Sequence, residues 1–180
     1  MDFENNKKTF LSKKDKSKKG SIDRRISALV EKINRQGNYY STSSCSGRIV
    51  LLKESKSGRK NQAQWLFVSH DLVDFHNIFS VVDELSDRKD IWFKYEPPII
   101  HISCRDLVSA QKLLNIARPI FKLSGIISTS KNIVEIRATD RIDTPVEEIS
   151  QKHLRILVET GNRKLETGWK KLKEFESQIA

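Results

Sequence analysis

Apolar positions along this chain recur in two periods, and the change from one to the other marks out the elements. Ile22, Ile26, Leu29, Val30 and Ile33 fall on one face of a 3.6-residue helix. Ser21 supplies an N-cap oxygen before them, Asp23 falls in the exposed first turn where the helix dipole favours an acid, and Gly37 ends the run. Tyr39 to Thr42 and Ile49 to Lys53 read as short strands on either side of a serine-rich turn. After a polar loop from Glu54 to Gln62, the apolar run inside Gln64 to His70 predicts a buried strand. Asp71 then caps a helix whose inner face is Leu72, Phe75, Ile78, Phe79 and Val82.

The order repeats. Ile91 to Glu96 and Ile99 to Cys104 are strands interrupted by Pro97-Pro98, which cannot donate to a central ladder and so mark a bulge, crossing or edge. Asp106 caps a helix with Leu107, Ala110, Leu113, Leu114 and Ala117 on one face. Ile126 to Ser128 and Ile133 to Ala138 form a strand pair turning at Lys131-Asn132, and Thr139 to Pro145 is a loop. Leu154, Leu157, Val158, Leu165, Leu172 and Phe175 line a long helix, with Gly161 and Gly168 as weak points. The pattern predicts an α+β fold: two strand–strand–helix repeats with mostly antiparallel strands, an N-terminal helix and a long C-terminal helix. It reads as a single domain over residues 1–180, divided into a basic flexible arm 1–19, a repeat core 20–145 and a C-terminal helical segment 146–180.

Charge adds a partner class. The net charge is +10 and the pI about 9.6, which suits nucleic acid or an acidic membrane surface. Lysines crowd the first nineteen residues, where a solvated tail and a phosphate-tracking arm are both open. No stretch reaches the length of a membrane-spanning helix, and no signal-peptide core opens the chain. Cys45 and Cys104 have neither metal spacing nor a disulfide framework, so a reduced, cytoplasmic protein is expected. His70, His76, His101 and His153 are scattered, and no metal is expected.

Candidate chemistry centres on Asn38 to Arg48. Its hydroxyls can donate and accept, its backbone N–H groups can form an anion-binding concavity, and Arg48 offers a planar guanidinium to a phosphate or carboxylate. His70 lies at a strand-to-helix junction. His101, flanked by Ile100 and Ile102, points to the opposite face from them and, with Glu96, brackets the proline pair. Tyr39, Tyr40 and Trp65 are able to stack a splayed base. There is no G-x-G-x-x-G after a strand, no Walker-type loop and no nucleophile elbow.

Five stretches taken in order carry a resemblance: Lys18-Lys19-Gly20-Ser21-Ile22-Asp23, Ser43-Ser44-Cys45-Ser46-Gly47-Arg48-Ile49, Trp65-Leu66-Phe67-Val68-Ser69-His70, Lys94-Tyr95-Glu96-Pro97-Pro98-Ile99-Ile100-His101 and Ser124-Gly125-Ile126. Over nearly its whole length the chain resembles the tRNA wybutosine-synthesizing protein 3 family in its archaeal form. The resemblance implies a methyltransferase without the dinucleotide-type sheet. It would use S-adenosylmethionine to methylate N4 of the 7-aminocarboxypropyl-demethylwyosine base next to the anticodon of phenylalanine tRNA. It implies Asp23 as first choice of proton acceptor, with His70 and His101 next. Ser21, Ser43, Ser44, Ser46, Gly47, Arg48, Glu96, Lys122, Ser124 and Gly125 are implied in cofactor or substrate binding. The chain departs from the family pattern at Pro119 to Leu123. The implied partner is the anticodon arm of the tRNA, with no membrane and an oligomeric state left open. A non-catalytic basic RNA-binding module is the alternative from the residues alone, and a phosphate-binding hydrolase has no motif behind it.

Overall fold

Ile100, Ile102, Val134 and Ile136 point to one side of their strands and are buried, while the residues between them point to the other. That alternation sets the plan of a computed structural model that describes residues 2–12, 22–55 and 63–179. The elements in order are α1 (Phe3–Leu11), α2 (Arg24–Arg35), β1 (Tyr39–Cys45), β2 (Arg48–Lys53), β3 (Gln64–Ser69), α3 (Phe75–Asp83), β4 (Ile91–Glu96), β5 (Ile99–Cys104), α4 (Leu107–Ala117), β6 (Gly125–Ser128), β7 (Ile133–Arg137), β8 (Ile142–Pro145) and α5 (Gln151–Gln178). Two antiparallel sheets result, in the orders β1-β5-β7-β6 and β3-β2-β4-β8. The α+β fold is therefore the expected one.

Contacts divide the chain into two compact units. The first takes residues 1–46, 98–139 and 169–180, and the second takes 47–97 and 140–168. In the first, α2 contributes Ile26, Leu29, Val30 and Ile33, and α4 contributes Ala110, Leu113, Leu114 and Ala117, to one core with Ile100, Ile102, Val134 and Ile136. The rings of Phe121 and Phe175 meet edge to face in that core. Truncating a leucine as buried as Leu113 costs about 2–5 kcal/mol. In the second unit, Ile49, Leu51, Phe93 and Tyr95 are buried, as are Leu154, Val158 and Leu165 of α5.

The helix starts differ from the sequence expectation. Ser21 lies outside the described residues. Asp23 occupies the N-cap position of α2 itself, makes no side-chain cap bond and is 6% exposed, so it is not a solvated first-turn acid. Asp106 caps α4 as expected, accepting from Ser109 N–H at 2.7 Å. The cap of α3 is Asp74, which accepts from His76 N–H, and not Asp71. The backbone of Val73 between them is held by the Asn162 side chain, which ties up its N–H and carbonyl outside the helix. Phe3 to Leu11 is helical where a flexible arm was expected, because Phe3 and Phe10 place their rings against Tyr40 at 5.4 and 5.6 Å. The lysine-rich stretch after it, residues 13–21, lies outside the described residues.

The strands differ too. The serine run is not a turn: β1 continues to Cys45, pairing Ser43 with His101 and Ser44 with Ile100. As an edge strand it gives one side of its backbone to that ladder, while Ser41 N–H donates to Asn34 Oδ1 and Ser46 N–H to Asp23 Oδ2. β1 and β2 belong to different sheets, and so do β4 and β5 on either side of Pro97-Pro98. The strand–strand–helix order read from sequence is therefore divided between two sheets. β3 is an edge strand with Trp65 39% and Val68 42% exposed, not a buried one. Residues 139–145, read as a loop, end in edge strand β8, paired with β4 from Trp92 to Tyr95. α5 runs unbroken through both glycines. A Cβ on Gly161 would lie 3.0 Å from Ile49 Cδ1 and 3.4 Å from Phe93 Cζ, so the glycine is there for close packing.

Candidate active site

Cross-strand pairing builds the polar face of the first unit. Ser43 and His101 are register partners, and Ser43 Oγ lies 2.7 Å from His101 Nδ1. His101 is in turn the partner of Glu135 on β7, with Nε2 2.8 Å from Glu135 Oε2. A carboxylate only accepts, so Nε2 carries the hydrogen, and Nδ1 of the neutral ring accepts from the Ser43 hydroxyl. The same unit buries a second polar pair. Asp23 Oδ2 accepts from Ser46 N–H at 3.0 Å and from Ser46 Oγ–H at 3.1 Å, and Ser46 is fully buried. Gly125 opens β6 opposite Glu135. Ser124 is buried in the turn before it, donating to the Phe121 carbonyl at 2.7 Å while its own carbonyl accepts from Arg118. Ser44 is half-buried in β1 and Lys122 is exposed.

The second unit holds the remaining candidates. Gly47 has φ 94°, in the left-handed region that favours glycine, and its carbonyl lies 3.1 Å from His70 Nδ1. A carbonyl only accepts, so Nδ1 of His70 carries the hydrogen. The two histidines thus hold opposite tautomers when neutral. Arg48 Nε donates to Glu96 Oε2 at 2.5 Å, and its guanidinium lies 4.5 Å from the centre of the Trp65 ring. Glu96, expected with His101 from their places around the prolines, therefore serves Arg48, and His101 is served by Glu135.

The methyltransferase TYW3 family model matches residues 5–180. The chain belongs to the methyltransferase TYW3 family. It is 36% identical, over 96% of its length and 92% of the relative's, to a Pyrococcus horikoshii protein named tRNA(Phe) 7-((3-amino-3-carboxypropyl)-4-demethylwyosine(37)-N(4))-methyltransferase 1. It is 33% identical, over 97% of its length and 73% of the relative's, to a Xenopus laevis protein named tRNA wybutosine-synthesizing protein 3 homolog. A solved Pyrococcus horikoshii structure matches with a TM-score of 0.90 at 35% identity, covering 99% of this chain and 96% of that one. The family's fold is thus the two-sheet α+β fold seen here and not a Rossmann-type sheet. Among the described residues, no helix is long and apolar enough to cross a membrane.

Sequence reasoning missed Glu135 and Asn162 as site supports. The alternation in Ile133-Val134-Glu135-Ile136-Arg137 does put Glu135 on the face opposite the core. Only the pairing of β7 with β5 says that His101 is its neighbour.

Proposed function

We propose that this protein methylates N4 of the 7-aminocarboxypropyl-demethylwyosine base beside the anticodon of phenylalanine tRNA, with S-adenosylmethionine as donor. The relatives and family named above carry the reading. The residues fit such a donor by their chemistry. Arg48 suits its carboxylate, Glu96 suits a ribose diol or an ammonium, and the part-exposed Trp65 ring suits a purine face. When bound, that donor supplies a methyl group activated by a positively charged sulfur.

The protein's own tasks are alignment and removal of a proton. In-line transfer needs the acceptor nitrogen held in place and water kept away. The nitrogen sheds a proton as it gains its methyl, and a neutral imidazole is suited to take it. His101 is the proposed acceptor, because its Nδ1 faces the exposed hydroxyl of Ser43. Asp23, which is buried and accepts two bonds from Ser46, is the proposed support of the chain at Ser46, just after β1. In the first unit Ser44, Lys122, Ser124 and Gly125 are proposed to contact the base, and in the second His70 is proposed to contact the donor. Lysines and arginines on the surface would bind the anticodon arm's phosphates, giving affinity that falls steeply with salt.

The test incubates the protein with S-adenosylmethionine and a phenylalanine tRNA bearing the unmethylated tricyclic base, followed by nucleoside mass spectrometry. The expected result is a mass gain of one methylene on that base, lost in His101→Asn with tRNA binding retained. tRNA binding without any methyl gain would instead identify a non-catalytic RNA-binding module.

A further inference from the structure

Ser43, His101, Glu135 and Gly125 form one row across the four strands β1, β5, β7 and β6, each paired with the next. The row lies on the sheet face opposite Ile100, Ile102, Val134 and Ile136. With the imidazole neutral, its hydrogen bonds run in one direction. Ser43 Oγ–H donates to His101 Nδ1 at 2.7 Å, and His101 Nε2–H donates to Glu135 Oε2 at 2.8 Å. Glu135 Oε1 also lies 3.5 Å from Arg137 Nε, an ion-pair contact without a hydrogen bond. The Glu135 side chain is 18% exposed and that of His101 28%. A Cβ built on Gly125 would meet nothing within 4 Å, so β6 leaves open space opposite Glu135.

We propose that Glu135 is a positioning residue that makes His101 a one-directional proton acceptor for Ser43. The proposal rests on the methyltransferase reading for its kinetic consequence. Glu135 holds the ring in the tautomer whose lone pair faces Ser43 and fixes its plane within the row. As the substrate nitrogen gains its methyl, its proton passes to Ser43 Oγ while the Ser43 hydroxyl proton passes to His101 Nδ1. The hydroxyl is unchanged, the imidazole becomes an imidazolium, and the Glu135 carboxylate stands beside the new charge. The imidazolium then returns its proton to solvent.

Two measurements test this on the full chain, with Glu135→Gln as the near-isosteric variant and Glu135→Ala beside it. The first is the imidazole 15N shift pair of His101, assigned with His101→Asn, which needs no methyl transfer. Wild type is expected to show one tautomer with Nε2 protonated, and Glu135→Ala the averaged shifts of a ring free to exchange tautomers. Unchanged shifts in folded Glu135→Ala or, if that variant does not fold, in Glu135→Leu overturn the proposal, since neither side chain can accept from Nε2–H. The second is kinetics: Glu135→Gln is expected to lower kcat about 10–100-fold with the KM for tRNA unchanged. A variant that keeps full kcat, or that loses activity only through a raised KM, also overturns it. If wild type transfers no methyl group, the methyltransferase reading fails, and the 15N shifts alone decide the role of Glu135.

Discussion

Asn162 holds the segment that leads from His70 to α3. Its Oδ1 accepts from Val73 N–H at 2.9 Å and its Nδ2 donates to the Val73 carbonyl at 2.8 Å. Val73 is 5% exposed, so water does not readily replace either bond. Asn162→Asp keeps the acceptor and removes the donor, setting a carboxylate oxygen against a carbonyl oxygen. One buried acceptor left unpaired costs about 1–3 kcal/mol, and the lone-pair repulsion brings the expected loss at neutral pH to about 2–4 kcal/mol. The sign with pH follows from the chemistry. Protonation restores an O–H donor toward Val73, so folding raises the pKa of the introduced carboxyl above its unfolded value. Its native-state penalty is then full above the folded pKa and shrinks as pH falls through it. Urea denaturation of wild type and variant, read by tryptophan fluorescence, is the assay. The gap between midpoints is expected to be wide at neutral pH and narrower in mildly acidic buffer. An equal gap at both, or none at neutral pH, would refute the clamp. Loss of the clamp also predicts reduced methyl transfer, because the same segment carries His70.

Gly161→Val is expected to destabilise by more than about 2 kcal/mol through overpacking against Ile49 and Phe93. Adding Ile49→Val should recover part of that loss in thermal denaturation, since it removes the nearest methyl. Burial, with Asp106 nearby, pushes the Cys104 thiol up to about 12. Iodoacetamide in mildly alkaline buffer should therefore leave Cys104 unmodified in native protein and alkylate it after denaturation, as read by peptide mass spectrometry. Burial works against the charge of Asp143, yet hydrogen bonds from Arg141 and Lys94 hold its carboxyl below the ordinary value. A depressed folded pKa gives stability that is complete above the unfolded pKa and is lost as pH falls through the folded one. Asp143→Asn should thus lower the urea midpoint at neutral pH and reduce the loss of stability on acidification, and parallel curves for the two proteins would rule this out.

The site supports show how local chemistry and topology divide the work. Asp106 before Leu107 was enough to place a cap, because the bond it makes is three residues away. The same rule points to Asp71, but Asp74 caps α3, because Asn162, distant in sequence, takes up the backbone groups of Val73. The residues of the serine run suit turns as well as strands. Pairing with β5 decided for the strand, as it sets Ser43 and Ser44 into a ladder with His101 and Ile100.

The amino-acid sequence by itself determined the type of most elements, most of the buried faces of α2 and α4, the basic charge and, through five ordered motifs, the family. These are properties of neighbouring residues, set by period, capping and turn chemistry within a few positions. Tertiary structure alone decided that β1 and β2 enter different sheets, that β3 is an edge, that Gly161 is a packing contact, and that Glu135 serves His101 while Glu96 serves Arg48. Each of these depends on which strand lies beside which, and pairing partners far apart along the chain leave no periodic trace in either strand.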